Sequence, residues 1–167
     1  MSTRKITTMG LLLALALILS FVESQIPAFV AIPGIKIGLA NIVVVFCLYS
    51  MGFKEAVLVS LLRVLLSSLL FGSLATFAYS ITGALLSVLV MALLKRTKAF
   101  GVVAVSVSGA VMHNLGQILV AMMLMGWAAI VYYLPFLIFS AVGFGIVIGV
   151  AAALLLRRIP LEGRDGP

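Results

Sequence analysis

Residues 134–158 read LPFLIFSAVGFGIVIGVAAALLLRR. From 134 to 156 no side chain carries a charge, and then Arg157 and Arg158 arrive together. An α-helix rises about 1.5 Å per residue, so ~20 apolar residues cross the ~30 Å hydrocarbon core of a bilayer. This run is long enough to cross, and it ends on two cations, as a span anchored at one membrane face does. Working outward, the same pattern repeats along the chain, with apolar runs at about 6–22, 38–51, 56–71, 74–94 and 101–124. Apolar residues make up 65% of the 167 and charged residues only 9%, where a soluble domain carries about 25% charged residues. There is material for five or six spans and little else. That excludes a soluble enzyme, a nucleic-acid module and a disordered chain, and predicts an all-α integral membrane protein formed by one domain, residues 1–167, with a polar tail at 157–167.

The breaks between runs are short. The N-terminal run after Arg4 and Lys5 imitates a signal peptide, but no small-x-small cleavage site precedes a polar domain and more spans follow, so it reads as helix 1. The stretch 23–37 (ESQIPAFVAIPGIKI) contains Pro27, Pro33 and Gly34, which prevent a continuous helix; it is expected to lie against the protein at the membrane surface. Gly52 to Glu55, Gly72-Ser73, the basic loop Lys95-Arg96-Thr97-Lys98 and the aromatic-rich link 125–133 supply the remaining turns.

The net charge of +7 comes from eleven Lys or Arg against Glu23, Glu55, Glu162 and Asp165. With six alternating spans, nearly all the basic residues fall on one side and only Lys36 on the other, with Arg63 inside helix 3. By the positive-inside rule this predicts both termini in the cytoplasm. A five-span chain would put the Arg157-Arg158 pair outside. The basic residues flank apolar runs, so topology explains them without a nucleic-acid partner. Cys47 is the one cysteine and His113 the one histidine, which leaves no disulfide and no cysteine- or histidine-rich metal site; Cys47 is expected to be packing.

Helices in lipid pack through small residues. Helix 6 carries Ala141, Gly145, Gly149 and Ala153 at four-residue spacing, and helix 1 carries Thr7, Gly10 and Ala14 on one face. These faces either pack within the bundle or dock a partner membrane protein.

Polar groups inside spans cost ~2.5–3.5 kcal/mol when charged and usually face an interior or a watery cavity. Helix 3 has Ser60, Arg63 and Ser67 on one stripe; helix 4 has Thr76, Ser80, Gly83 and Ser87; helix 5 has His113, Asn114 and Gln117; Asn41 opens helix 2. At helical rise, Arg63 stands about 14 Å from the basic side and His113 about 20 Å. The expectation is a pocket in the middle and outer half of the bundle, built from Arg63, His113, Asn114, Gln117, Asn41, Lys36 and Ser67. Arg63 would present a fixed charge and a planar fork of donors to a carboxylate or phosphate. Each has a bland alternative: Arg63 paired with a helix end or with Glu23, His113 satisfied in the core, Asn114 and Gln117 bonding between helices, Lys36 anchoring at headgroups. There is no acid pair, no Asp-rich magnesium site, no nucleophile elbow and no phosphate loop. No cofactor, metal or catalytic role is expected, and the chain has no means of hydrolysing ATP itself.

The segments 33–41 (PGIKIGLAN), 52–56 (GFKEA), 61–63 (LLR), 70–72 (LFG) and 109–117 (GAVMHNLGQ) resemble one bacterial family. It is known both as heptaprenyl diphosphate synthase component I and as the Gx transporter family, and the resemblance covers about residues 5–156. A prenyl diphosphate synthase holds substrate through magnesium on Asp-rich motifs, and Asp165 is the chain's one aspartate. The family is also similar to the substrate-binding S components of energy-coupling factor transporters. That likeness implies a six-helix protein of the bacterial inner membrane, both termini inside, capturing a vitamin-like molecule. Energy would come from a transmembrane T component and two ATPases. It further implies docking through helix 1, at Gly10 and Ala14, and a first loop, residues 23–37, that covers the ligand. The leading expectation is therefore uptake of a small anionic molecule, with isoprenoid, quinone-precursor and flavin-like compounds as ligand classes. The alternative is a non-catalytic membrane subunit serving isoprenoid or quinone synthesis, or a flavin-linked electron-transfer system, whose polar groups would lie at a cytoplasmic surface.

Overall fold

The computed structural model describes residues 3–25, 38–125, 132 and 134–159. Among them the chain forms six α-helices and no strand: α1 (Thr3–Gln25), α2 (Asn41–Ser50), α3 (Phe53–Phe71), α4 (Leu74–Thr97), α5 (Val102–Met125) and α6 (Leu134–Arg158). Four of these, α1, α4, α5 and α6, are long and apolar enough to cross a membrane. Large apolar side chains point outward along them, Leu11, Met123 and Phe139 among the most exposed. Leucine and phenylalanine left outward all around a bundle suit lipid, since a soluble surface rarely carries continuous apolar patches.

The helix directions follow from side-chain ties. Lys5 pairs with Glu55, and at the other end Phe21 meets Phe71 edge-on, ring centroids 5.8 Å apart; α1 and α3 therefore run parallel. Lys95 donates to the Leu48 carbonyl at 2.7 Å, which sets the end of α4 beside the end of α2. Gly83 faces Gly116 and Met91 faces Gly109, so α5 runs against α4. Ser106 donates to the Gly145 carbonyl at 2.9 Å and Asn114 to the Leu137 carbonyl at 3.0 Å, so α6 runs against α5. Helices α1, α3 and α5 leave the basic end and α2, α4 and α6 return to it.

Helix α2 departs from expectation. The apolar run 38–51 reads as a span, but its helix holds ten residues, about 15 Å at helical rise, which is half a hydrocarbon core. Its start is set by Gly38, whose φ of +78° is a conformation that suits glycine. There the carbonyl of Gly38 accepts from the Asn41 N–H at 2.8 Å and turns the chain into the helix. From Val43 to Leu48 every side chain is buried, against α1, α3, α4 and α6. At its other end Gly52, φ +118°, turns the chain into α3. That helix begins at Phe53, so the expected turn through Glu55 shrinks to Met51 and Gly52.

The small-residue stripe of α6 packs inside the bundle. A Cβ on Gly145 would stand 2.8 Å from the Val107 Cα, and one on Gly149 2.7 Å from the Val103 Cα. On α1 the stripe lies outside. Met9, Leu12 and Ala16 are its buried residues, while Thr7, Gly10 and Ala14 are exposed and nothing stands within 4 Å of a Cβ built on Gly10.

Candidate functional site

Arg63 lies on α3 about 14 Å from the basic end, counted from Lys54, at the level where α2 begins. Its Nε is buried and has no hydrogen-bond partner. The charge that acts on it is Glu23, from the far end of α1. Glu23 makes no ion pair with Arg63; its Oε1 instead accepts the Gly38 N–H at 2.5 Å. One carboxylate thus ties the end of α1 to the turn that starts α2 and supplies the nearest countercharge to the arginine. A helix start carries unsatisfied N–H groups and the positive end of its dipole, both of which favour an anion. Asn41 folds over Gly38, its Nδ2 3.3 Å from where a Cβ would be.

The three α5 residues expected in the pocket, His113, Asn114 and Gln117, face two different helices. Asn114 is buried and its amide donates to the Leu137 carbonyl, which makes it a bond between α5 and α6. His113 and Gln117 instead flank Gly83 on α4: a Cβ there would meet the His113 carbonyl oxygen at 2.7 Å and the Gln117 Cγ at 3.2 Å. Gly116 closes the same crossing, within 2.7 Å of the Gly83 Cα. Of the stripe read on helix 4, Ser80, Gly83 and Ser87 are buried and Thr76 is half-buried. Helix α4 packs on both α3 and α5, so it stands between Arg63 and the α5 group. The Ser67 hydroxyl is spent on the Val64 carbonyl of its own helix, at 3.2 Å. Lys36 and most of the stretch expected to cover a ligand, residues 26–37, lie outside the described residues. Among the described residues no cluster of His, Cys, Asp and Glu could hold a metal ion. Cys47 is buried in the core, and Gly145 and Gly149 of α6 serve packing.

Two features were not read from the sequence. One is the role of Glu23 at Gly38; its signal was an acid at the end of an apolar run with a Gly turn following, which fixes no partner. The other is the basic end. Lys95 caps the last carbonyls of α2 and lies 5.0 Å from the Tyr49 ring centroid, a cation over an aromatic face. Beside it Lys5 hydrogen-bonds Glu55 and holds that carboxyl below the usual carboxylate range. Next to these, α3 and α4 diverge into an outward-open groove of about 580 Å³ that runs from Phe53 and Lys54 to Leu61.

Fold and site together define a helical membrane-protein bundle with a half-buried arginine on α3 whose Nε is shut off from solvent. A family model described as heptaprenyl diphosphate synthase component I matches residues 12–155, and the chain belongs to that family. No curated protein and no solved structure matches it.

Proposed function

We propose that this protein is the substrate-binding membrane component of an energy-coupling-factor-type uptake system for a small anionic molecule. On this reading it sits in the bacterial cytoplasmic membrane as six membrane segments, α2 being a half-length one enclosed by the others, with both termini in the cytoplasm. The observation that carries it is Arg63: a half-buried arginine on α3, its Nε fully buried and without a hydrogen-bond partner, level with the start of α2. Structure alone could use an apolar residue there at lower cost. The outward Thr7-Gly10-Ala14 face of α1 supports docking on a T component and its ATPases, because no neighbour within the bundle occupies it. The chain itself is not catalytic on this reading.

The pocket is narrower than the sequence suggests. It centres on Arg63, Glu23, Gly38 and Asn41; His113 and Gln117 lie beyond α4, and Asn114 belongs to the α5–α6 contact. Ligand screening by thermal shift tests it, using farnesyl diphosphate, a hydroxybenzoate quinone precursor and flavin mononucleotide as probes. One class should stabilise the purified protein. Arg63→Met should stay folded and bind that probe at least ~100-fold more weakly, as a desolvated charge contact is worth ~2–5 kcal/mol. Unchanged binding in folded Arg63→Met places the site elsewhere.

The family description favours a second reading, a non-catalytic membrane subunit of heptaprenyl diphosphate synthesis. It would require a cytoplasmic partner enzyme held at the basic end. Co-purification with a soluble synthase subunit, lost on reversing the charge of Arg96 and Arg157, would establish it over transport.

A further inference from the structure

The groove between α3 and α4 begins at the basic end and its floor stops at Ser60 and Leu61, a turn short of Arg63; the function above does not use it. Its floor is Ser60, Ala84 and Val88, all buried, and its walls include Leu58, Leu85 and Leu89, all exposed. Small floor residues between tall leucines leave a trough that opens sideways, toward lipid. Phe53 and Lys54 stand at its mouth. From Lys54 to Leu61 it extends about 10 Å along α3, within the ~15 Å depth of one leaflet. It runs inward from the end where Lys5, Lys95 and Arg157 gather. The neighbouring Lys5 is engaged by Glu55 and Lys95 by the Leu48 carbonyl. Lys54 makes no such bond and is exposed, so it is the cation at the groove that faces outward for a headgroup.

We infer that this groove is a binding site for an anionic phospholipid of the cytoplasmic leaflet, one acyl chain lying over Ser60, Ala84 and Val88 and the headgroup phosphate on Lys54. Charge complementarity selects the occupant. An apolar trough alone takes any chain, but a trough that begins at an unengaged lysine favours a lipid with net negative charge over a zwitterionic one. The inference rests on the basic end being cytoplasmic. It does not depend on the Arg63 pocket.

The test uses the delipidated full chain in a non-ionic detergent, with dioleoyl phosphatidylglycerol or dioleoyl phosphatidylcholine added. Native mass spectrometry counts the lipid retained and thermal unfolding reads the stabilisation. One phosphatidylglycerol should be retained about fivefold better than phosphatidylcholine, the worth of one lysine near an anionic headgroup. Lys54→Gln should equalise the two. Ala84→Leu, which fills the floor, should abolish retention of both; if it fails to fold, Leu85→Trp on the exposed wall does the same service. Arg63→Met should retain phosphatidylglycerol unchanged, which separates this site from the ligand pocket. Equal retention of both lipids by the unmodified chain overturns the inference. So does a preference that survives Lys54→Gln or a filled groove. Retention of farnesyl diphosphate with no retention of phosphatidylglycerol assigns the groove to a prenyl diphosphate and overturns the lipid.

Discussion

Helices α4, α5 and α6 and helices α1, α2 and α3 use the same small residues and solve different problems. In the first set most glycines are contact points, though Gly143 faces open space. Gly83, Gly116, Gly145 and Gly149 each sit where a Cβ would come within 2.8 Å of a neighbouring backbone atom. The polar groups there bond across the contact, Ser106 to Gly145 and Asn114 to Leu137, and no charge lies between the helices. In the second set nothing stands near a Cβ built on Gly10, one helix is half-length, and a half-buried glutamate and a half-buried arginine act on one another. Close packing is what holds a lipid-embedded bundle together, since apolar side chains gain little by leaving one another for lipid tails. The comparison separates a closely packed half from a looser half that carries charge, and the ligand site proposed above falls in the looser half.

The largest expected effect breaks the closely packed half. Gly116→Leu drives a side chain into the Gly83 backbone and should cost at least about 3 kcal/mol, with loss of folded protein. Gly10→Leu, facing open space, should leave the unfolding temperature of the isolated protein unchanged. Folded yield and thermal unfolding of the two variants check the contrast; equal damage from both would dissolve it. Gln117 sharpens it further. If the ligand pocket extends past α4, Gln117→Leu should weaken ligand binding near tenfold, the loss of about one hydrogen bond; unchanged affinity in a titration confines the pocket to α1–α3. Asn114→Leu should cost about 1 kcal/mol of stability and leave affinity alone, because its amide is spent on α6.

The smallest effect concerns the Lys5–Glu55 pair at the basic end. The folded-state carboxyl is depressed, so its contribution is present above the ordinary carboxylate pKa and is lost as pH falls through the folded value. A half-exposed pair is worth no more than about 1 kcal/mol. Glu55→Gln should lower stability slightly at neutral pH and flatten its loss on acidification, measured as unfolding temperature from pH 7 to pH 4.

How much of this was legible in the sequence depended on what marked it. Helix ends were marked in charges and turn residues to within a turn: Lys95-Arg96-Thr97, read as loop, is the last turn of α4, whose cap is Lys98, Arg157-Arg158 closes α6, and Gly72-Ser73 separates α3 from α4, with the Ser73 hydroxyl accepting from the Thr76 N–H as an N-cap. The α6 glycine stripe was legible as a packing face. The length of α2 was not, because 38–51 is apolar throughout and nothing local says that its helix starts only at Asn41; a tie from Glu23, far off in the chain, helps to set that point. Nor was rotational phase. These helices are apolar on most sides, so no amphipathic stripe tells which face looks inward. Adjacent residues His113 and Asn114 therefore look like one polar cluster on paper and serve two different helix contacts in space.

The ten-residue length of α2 also bears on how the protein is made. A helix of about 15 Å is shorter than the ~20-residue span that crosses a bilayer, and the Leu48 carbonyl near its end takes its side-chain donor, Lys95, from another helix. That lysine lies 47 positions later in the chain. The tie that closes the end of α2 therefore forms only once α4 has been synthesised. A chain halted between the two helices has the core residues of α2 but lacks the lysine that meets their end and the α4 and α6 surfaces that bury them.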